Sequence, residues 1–448
     1  MSLRSLDRSD GLHPRRRRRR ATGATAGLLA IIALAASCSA SEGSGASDRP
    51  TGGDTPTSPS PTDTTATSPP STAPPTGGWE TIDADDAGMD AAALAEITDA
   101  ARAAGSNCFL VARDGRIVTE SYWNGTTPDS THEVFSASKS VTSTLVGIAH
   151  HDGRLDVTDH ASTYIPEWRG TPSEGVTVEH LLSNDSGRHQ DARTDYVEMA
   201  FQAPDKTAFS VGLAQDAEPG TVWAYNNAAI QTLEAVLSTA TGVDVAQYAQ
   251  DRLFTPLGMA HSSIRRDAAG NPLTFMGVQS SCRDLARFGE LMPRDGDWDG
   301  ETIVDADWVA QATGRSSQEL NSAYGWLWWV NRPGTVLGAL QATGAPGTVT
   351  DEADTVTGDA DTGAQPPTEP GSSAPAGEGG VADAPTQLVP GAPEDMFWAL
   401  GFGNQVLALD PGSHTLVVRL GPPRGPADAP KFDARASARV VTEAITDR

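Results

Sequence analysis

The sequence predicts an α+β fold, with one antiparallel sheet flanked by helices and a separate all-helical lobe. Three observations predict it. Two strand-like runs joined by Asp114-Gly115 stand early in the chain, and Asp-Gly is a strong two-residue hairpin signal. Two more runs, joined by Asp410-Pro411-Gly412-Ser413, stand near its end. The stretch between, about 155–275, reads mainly helical. Segregated strands and helices, rather than an alternation of the two, are the pattern of an α+β domain.

The elements follow in order. Arg15 to Arg20 form a basic run, Gly27 to Ala36 a short apolar run, and Ser37-Cys38 comes next. This is the layout of an export signal over residues 1–37. The apolar run is shorter than the roughly 20 residues a membrane span needs. Leu34-Ala35-Ala36-Ser37-Cys38 resembles bacterial lipoprotein signals, which implies lipidation of Cys38 and a place on the outer face of the cell membrane. Residues 38–78 are mostly Ser, Thr, Pro, Gly and Asp, and cannot bury enough surface to offset their conformational entropy. They read as a disordered tether.

Residues 79–448 read as the folded domain. Ala91 to Ala104 is Ala-rich and helical, and Asn107–Arg113 and Arg116–Trp123 are the first two strands. Lys139–His151, Asn227–Thr241 and Cys282–Met292 read as helices. Trp398–Leu409 and Thr415–Leu420 are the late strands, and about Asp433–Thr446 is a closing helix. A low-complexity stretch, about 333–392, reads as a disordered insertion. From Asp351 to Asp395 the chain holds ten acidic residues and no Lys or Arg. Such a loop is tolerated because closure entropy grows only logarithmically with length.

The formal net charge is −26, from 32 basic and 58 acidic residues. That excludes the usual electrostatics of nucleic-acid binding and of adhesion to anionic lipid. A membrane contact is expected through the lipid anchor alone. Three Cys in 448 residues exclude a disulfide scaffold, and neither a zinc spacing nor H-E-x-x-H occurs, so no metal and no cofactor is expected.

Ser136-Ala137-Ser138-Lys139 has the form S-x-x-K and opens a predicted helix. Positions i and i+3 share a helix face, so hydroxyl and amine can meet. The helix N-terminus favours negative charge and lowers an amine pKa. A desolvated neutral Lys can take the Ser proton. The chain has only three Lys (Lys139, Lys206 and Lys431) among its 32 cations. Arg cannot serve as such a base, so a Lys at this position is informative. Tyr225-Asn226-Asn227, a Y-x-N before a helix, supplies a phenol that can shuttle a proton and an amide that can orient Lys139 and a substrate. Alone it fits a helix-capping turn equally well.

Together, in this order and about ninety residues apart, the two motifs resemble the serine β-lactamase and penicillin-binding protein superfamily. Within it the chain is similar to the class C β-lactamase-related serine hydrolases, the branch of esterases, D-amino-acid peptidases and 6-aminohexanoate-dimer hydrolases. The stretches Leu181 to Gly187, Pro256 to Met259, Cys282 to Gly289, Tyr324 to Trp329 and Gly401 to Gln405 carry the likeness further. The resemblance implies a β-lactamase/transpeptidase-like fold and an acyl-enzyme on Ser136. Lys139 would be the base, Tyr225 its acid/base partner, and Asn227 would orient Lys139. The oxyanion hole would be formed by the backbone N–H groups of Ser136 and Phe402.

The sequence departs from that family at the third motif. A K-[ST]-G or H-x-G is usual, whereas here the strand reads Ala399-Leu400-Gly401. The missing cation weakens the case for substrates with a carboxylate and favours an ester or uncharged amide. Arg419 on the neighbouring strand is weighed as a substitute cation and as a solvated surface Arg. A D,D-carboxypeptidase or β-lactamase is the alternative within the class, and a non-catalytic receptor for peptidoglycan fragments the alternative outside it. His132 and His189 flank these landmarks and are candidates to line the cleft or to lie outside it. Cys108 and Cys282 form either a bridge, which export would favour, or two buried thiols. The cluster Trp326, Trp328 and Trp329 reads as core, with one ring available to wall the cleft.

Overall fold

The computed structural model describes residues 78–341, 386–423 and 429–447. All lie within one compact unit, Pro69–Arg448. The signal segment, Cys38, all but the last residue of the tether, and the acidic heart of the insertion lie outside the described residues.

Helix α1 (Ala91–Ala103) starts at Asp90, whose carboxylate accepts the N–H groups of Ala92 and Ala93. Strands β1 (Cys108–Arg113) and β2 (Arg116–Tyr122) form the first hairpin. The central helix α2 spans Ser138–His151. Helices α3 (Asn227–Gln231), α4 (Leu233–Thr241) and α5 (Cys282–Glu290) follow. The late strands are β3 (Trp329–Val330), β4 (Phe397–Gly401), β5 (Gln405–Asp410) and β6 (Thr415–Leu420), before helix α6 (Ala434–Ala444).

The strands form one antiparallel sheet in the order β2-β1-β6-β5-β4-β3. The two ends of the folded region therefore meet at β1 and β6, where Cys108 pairs with Leu420 and Arg113 with Thr415. Strands β5 and β6 are buried at every position, because α6 covers one face and α5 the other. This explains why Thr415-Leu-Val-Val-Arg-Leu420 shows a nearly continuous apolar run rather than alternation. Each Val or Leu so enclosed contributes about 1.5–3 kcal/mol. Cys108 on β1 is bonded to Cys282 at the start of α5, with Cα atoms 6.5 Å apart, so the bridge pins that helix to the sheet.

Four expectations need correction. The run Trp398–Leu409 is not one strand, since the chain reverses at Phe402 to Asn404. Gly403 and Asn404 sit at φ 74° and 60°, the left-handed region that a tight turn requires. Asn227–Thr241 is two helices, divided at Thr232, whose hydroxyl bonds the carbonyl of Ala229. The middle lobe is not all helical, because Ser263–Ile264 pairs with Val278–Ser280 in a small sheet completed by His132–Glu133. The flanks of the insertion are ordered. Asn331 Nδ2 donates to the carbonyls of Val389, Ala392 and Pro393, and the Asn321 side chain brackets Leu337 at its N–H and its C=O.

Candidate active site

The site begins with a strained turn. Phe135 adopts φ 48°, a left-handed conformation that costs a non-glycine residue about 1 kcal/mol or more. The turn Phe135–Ala137 delivers half-buried Ser136 to the start of α2. That helix is buried from Ser138 to Ala149 although much of it is Ser and Thr. Three of its hydroxyls bond the backbone of neighbouring segments. Ser138 Oγ accepts the Val278 N–H, Ser140 donates to the Leu327 carbonyl and Thr142 to the Thr274 carbonyl. These bonds lock the helix to the small sheet and to the Trp-rich segment, which a purely apolar helix could not do.

One turn on, Lys139 is 1 % exposed. Its Nζ donates to Ser136 Oγ and to the carbonyl of Phe275, each at 2.9 Å. It also lies 4.7 Å from the centre of the Tyr225 ring. Burial pulls the amine down from 10.5 to about 7, opposed by the negative charge of Asp195. Near neutral pH a substantial fraction of Lys139 is therefore the free base that proton abstraction needs.

Tyr225 is buried, and its hydroxyl bonds to Ser136. Burial pushes the phenol well above its usual value. Its ring stacks on Trp329 at 5.8 Å and meets the edge of Tyr324 at 6.0 Å. Trp328 stacks on Phe288 and Trp326 packs against Trp308, so of the Trp cluster it is Trp329 that backs the site. The stretch Leu181 to Gly187 builds the seat of the Tyr. The Asn184 carbonyl accepts the Ala224 N–H, and Asn184 Oδ1 accepts the Asn226 N–H. Asn226 caps α3 through Ala229 N and ties back to the carbonyls of Arg188 and His189.

The third side is the end of β4. A Cβ on Gly401 would stand 2.1 Å from the Val134 carbonyl, so only glycine lets this strand approach the nucleophile turn. Phe402 follows, 46 % exposed, its ring edge-on to that of Phe135 with the ring centres 5.7 Å apart. The backbone of Phe402 thus ends the strand beside the Ser136 turn, where an oxyanion donor would be wanted. Neither reading of Arg419 as a site cation or a solvated side chain holds. It is 2 % exposed and donates to Ser106 Oγ and to the carbonyls of Gly403, Asn404 and Ala104. Arg419 braces the β4–β5 turn from below.

Asn227 differs from expectation. Its Nδ2 donates to Asp195 at 2.7 Å, whereas the Lys139 amine spends its bonds on Ser136 and Phe275. Asp195 is the residue that sequence reasoning missed. It lies in a π-helical stretch, Thr194–Gln202, in a polar run that reads as surface, yet it is 1 % exposed. Its neighbour Tyr196 is a partial signal, as an aromatic inside that polar run. His132 bonds Asn107, and His189 sits between Asp216 and Asp191; neither bonds to Ser136, Lys139 or Tyr225. Among the described residues no group of three His, Cys, Asp or Glu is arranged to hold a metal.

A hydroxyl, a depressed amine and a phenol converging between a helix start and a sheet edge make up an acyl-transfer type of site. Residues 91–440 match the sequence profile of the family described as Beta-lactamase, and the chain belongs to that family. It is 28 % identical over 232 residues to the 6-aminohexanoate-dimer hydrolase of Paenarthrobacter ureafaciens, covering 48 % of this chain and 58 % of that one. It is 23 % identical over 240 residues to the β-lactamase of Escherichia coli K12, covering 47 % and 61 %. The chain thus spans about three fifths of the length of these relatives. Its fold is similar to that of a candidate 6-aminohexanoate-dimer hydrolase from Bacillus anthracis, with a TM-score of 0.57 at 18 % identity over 78 % of this chain and 84 % of that one.

Proposed function

We propose that the protein is an exported serine hydrolase that cleaves an ester or an uncharged amide through an acyl-enzyme on Ser136. The observation that carries the reading is the 2.9 Å contact between Lys139 Nζ and Ser136 Oγ, with Tyr225 on the same hydroxyl. Neutral Lys139 takes the Ser136 proton as Oγ bonds to the substrate carbonyl carbon. The negative charge passes to the carbonyl oxygen, which the N–H groups of Ser136 and Phe402 would hold. Tyr225 hands its proton to the departing alcohol or amine as the C–O or C–N bond breaks, and is reprotonated from Lys139. Water then attacks the acyl-enzyme by the same relay in reverse and releases the acid.

The substrate preference rests on the third motif. Ala399-Leu400-Gly401 brings no cation to the cleft, and the exposed neighbour of the Ser136 turn is the ring of Phe402. Among the described residues a substrate carboxylate would find no cationic partner at this strand end, which speaks against β-lactams and D-Ala-terminated peptides. Export and lipidation at Cys38 belong to the same proposal and place the reaction outside the cell. The test compares p-nitrophenyl acetate with nitrocefin on purified protein and adds a fluorophosphonate probe with intact-mass readout. The expected result is faster ester turnover and one adduct at Ser136. Faster nitrocefin turnover would refute the substrate class. Activity that survives Ser136→Ala would refute the mechanism, and absence of any adduct on folded protein would favour a receptor.

A further inference from the structure

We infer that Asp195 is a positioning residue for the Lys139–Tyr225 pair: it anchors the turn that carries Tyr225 and sets a carboxylate charge against the buried amine. The inference rests on the reading of Lys139 as the base. The anchoring is visible in three hydrogen bonds. Asp195 Oδ2 accepts the Asn227 N–H at 3.1 Å and Asn227 Nδ2 at 2.7 Å, and Oδ1 accepts the Ala228 N–H at 2.7 Å. All three donors come from the two residues that open α3, two and three positions after Tyr225. One buried carboxylate thus fixes where the Tyr225 backbone enters the site. The carboxylate is presented from a π-helical stretch, a distortion of helix geometry that recurs at functional sites.

The charge acts on the amine from across the site. Among the described residues the titratable groups that face Lys139 and Asp195 are Tyr225 from the α3 turn and Tyr196 from the π-helical stretch, with Tyr324 from the Trp-rich segment behind them against Tyr225. Burial raises all three phenols, so they stay neutral wherever Lys139 titrates. Phe275 adds a carbonyl and Ser136 a hydroxyl, both uncharged. Asp195 is therefore the facing group that carries charge. Its own pKa is raised by burial to about 6, held from going higher by its three donors and by Lys139. Above that pH it is an anion. Burial alone would leave Lys139 a weaker base; the Asp195 anion keeps it basic enough to take a proton from Ser136.

The sign follows. Asp195→Asn removes the anion, so the amine loses its proton more readily and the acid limb of activity moves to lower pH. It also turns an amide N–H₂ toward groups that donate, which loosens the Tyr225 turn. The experiment measures kcat/KM for p-nitrophenyl acetate and the rate of fluorophosphonate labelling from pH 5 to 9, in the wild type and in Asp195→Asn. The expected result is a rate at least about ten-fold lower at pH 8, with the acid limb displaced downward by roughly half a unit or more. A lower rate with an unmoved limb, or an unchanged rate, overturns the proposal.

Should Asp195→Asn not fold, the wild type decides. The chain has three Lys, so selectively labelled lysine side chains give few NMR signals, and the one missing in Lys139→Met belongs to Lys139. That signal is expected to titrate well below the usual lysine range, along a curve that one isolated proton does not fit because Asp195 ionises beside it. A curve fitted by one isolated proton overturns the coupling. Labelling of Ser136 that survives in Lys139→Met would instead overturn the assignment of the base, so the two failures are distinguishable.

Discussion

Replacing Lys139 with Met is expected to stabilise the fold at pH 6 while ending Ser136 labelling. Lys139 is buried, and its amine is held at about 7 rather than 10.5. At about 1.4 kcal/mol per pH unit, that costs about 5 kcal/mol. Met fills nearly the same volume without the charge. It forfeits the bonds to Ser136 Oγ and the Phe275 carbonyl and leaves that carbonyl unpaired, together about 3 kcal/mol. The variant should therefore gain about 2 kcal/mol at pH 6. The sign depends on pH in a definite way. A Lys whose folded pKa is depressed carries its full penalty below the folded value, here about 7, and loses it as pH rises toward the unfolded value of 10.5. At pH 9.5 only about 1.4 kcal/mol of penalty is left, less than the lost bonds, and the variant should be the less stable by about 1–2 kcal/mol. Urea midpoints at pH 6 and 9.5 test this, with equal m-values required of both proteins. A variant that is less stable at pH 6, or a difference that is the same at both pH values, would refute the claim that Lys139 is a strained, neutralising amine.

Two further outcomes are expected. The bridge between Cys108 and Cys282 spans 174 residues of sequence, so Cys108→Ser with Cys282→Ser should lower unfolding stability by about 2–5 kcal/mol, read as a lower urea midpoint. Two more thiols should also become titratable in the unfolded wild type after reduction than before. Arg419→Met strands one hydroxyl and three carbonyls that the guanidinium now satisfies. Each stranded acceptor costs about 1–3 kcal/mol, more together than the desolvation of the guanidinium gives back, so the variant should be less stable. It should also slow Ser136 labelling through the loosened β4–β5 turn, yet leave unchanged the rate ratio between neutral and carboxylate-bearing p-nitrophenyl esters; a changed ratio would restore Arg419 as a substrate-facing cation.

The parts of this molecule that were legible in its sequence are those governed by local chemistry. The Asp114-Gly115 hairpin and the S-x-x-K spacing each need only a few consecutive residues to be recognised, and the structure places Ser136, Lys139 and Tyr225 in one cluster. What was not legible depends on burial by distant chain. Asp-Ala-Arg-Thr-Asp-Tyr-Val-Glu, 191–198, has the composition of a solvated loop, and apart from the aromatic Tyr196 nothing in it marks Asp195 as the member that turns inward to meet α3, some thirty residues later. The turn at Gly403-Asn404 was hidden by apolar residues on both sides, which merge two strands into one run. The insertion flanks were read by their polar, Gly- and Pro-rich composition. They are ordered because Asn321 and Asn331 supply hydrogen bonds that composition does not reveal.

The same contrast separates the global charge from the charge that matters at the site. A net −26 suggests that a cationic Lys139 would be favoured everywhere in this protein. Yet surface carboxylates beyond a Debye length of about 8 Å act weakly through salt water, and the amine is lowered, not raised. Desolvation, which takes effect at the atoms in contact with Nζ, outweighs the acidic surface. Asp195, buried alongside, is felt because no solvent screens it. Removing surface acids should thus leave the acid limb of activity almost unmoved, whereas removing one buried carboxylate should displace it. The Lys139 amine is tuned by the elements that meet at the site, and the acidic character of the chain at large has little part in it.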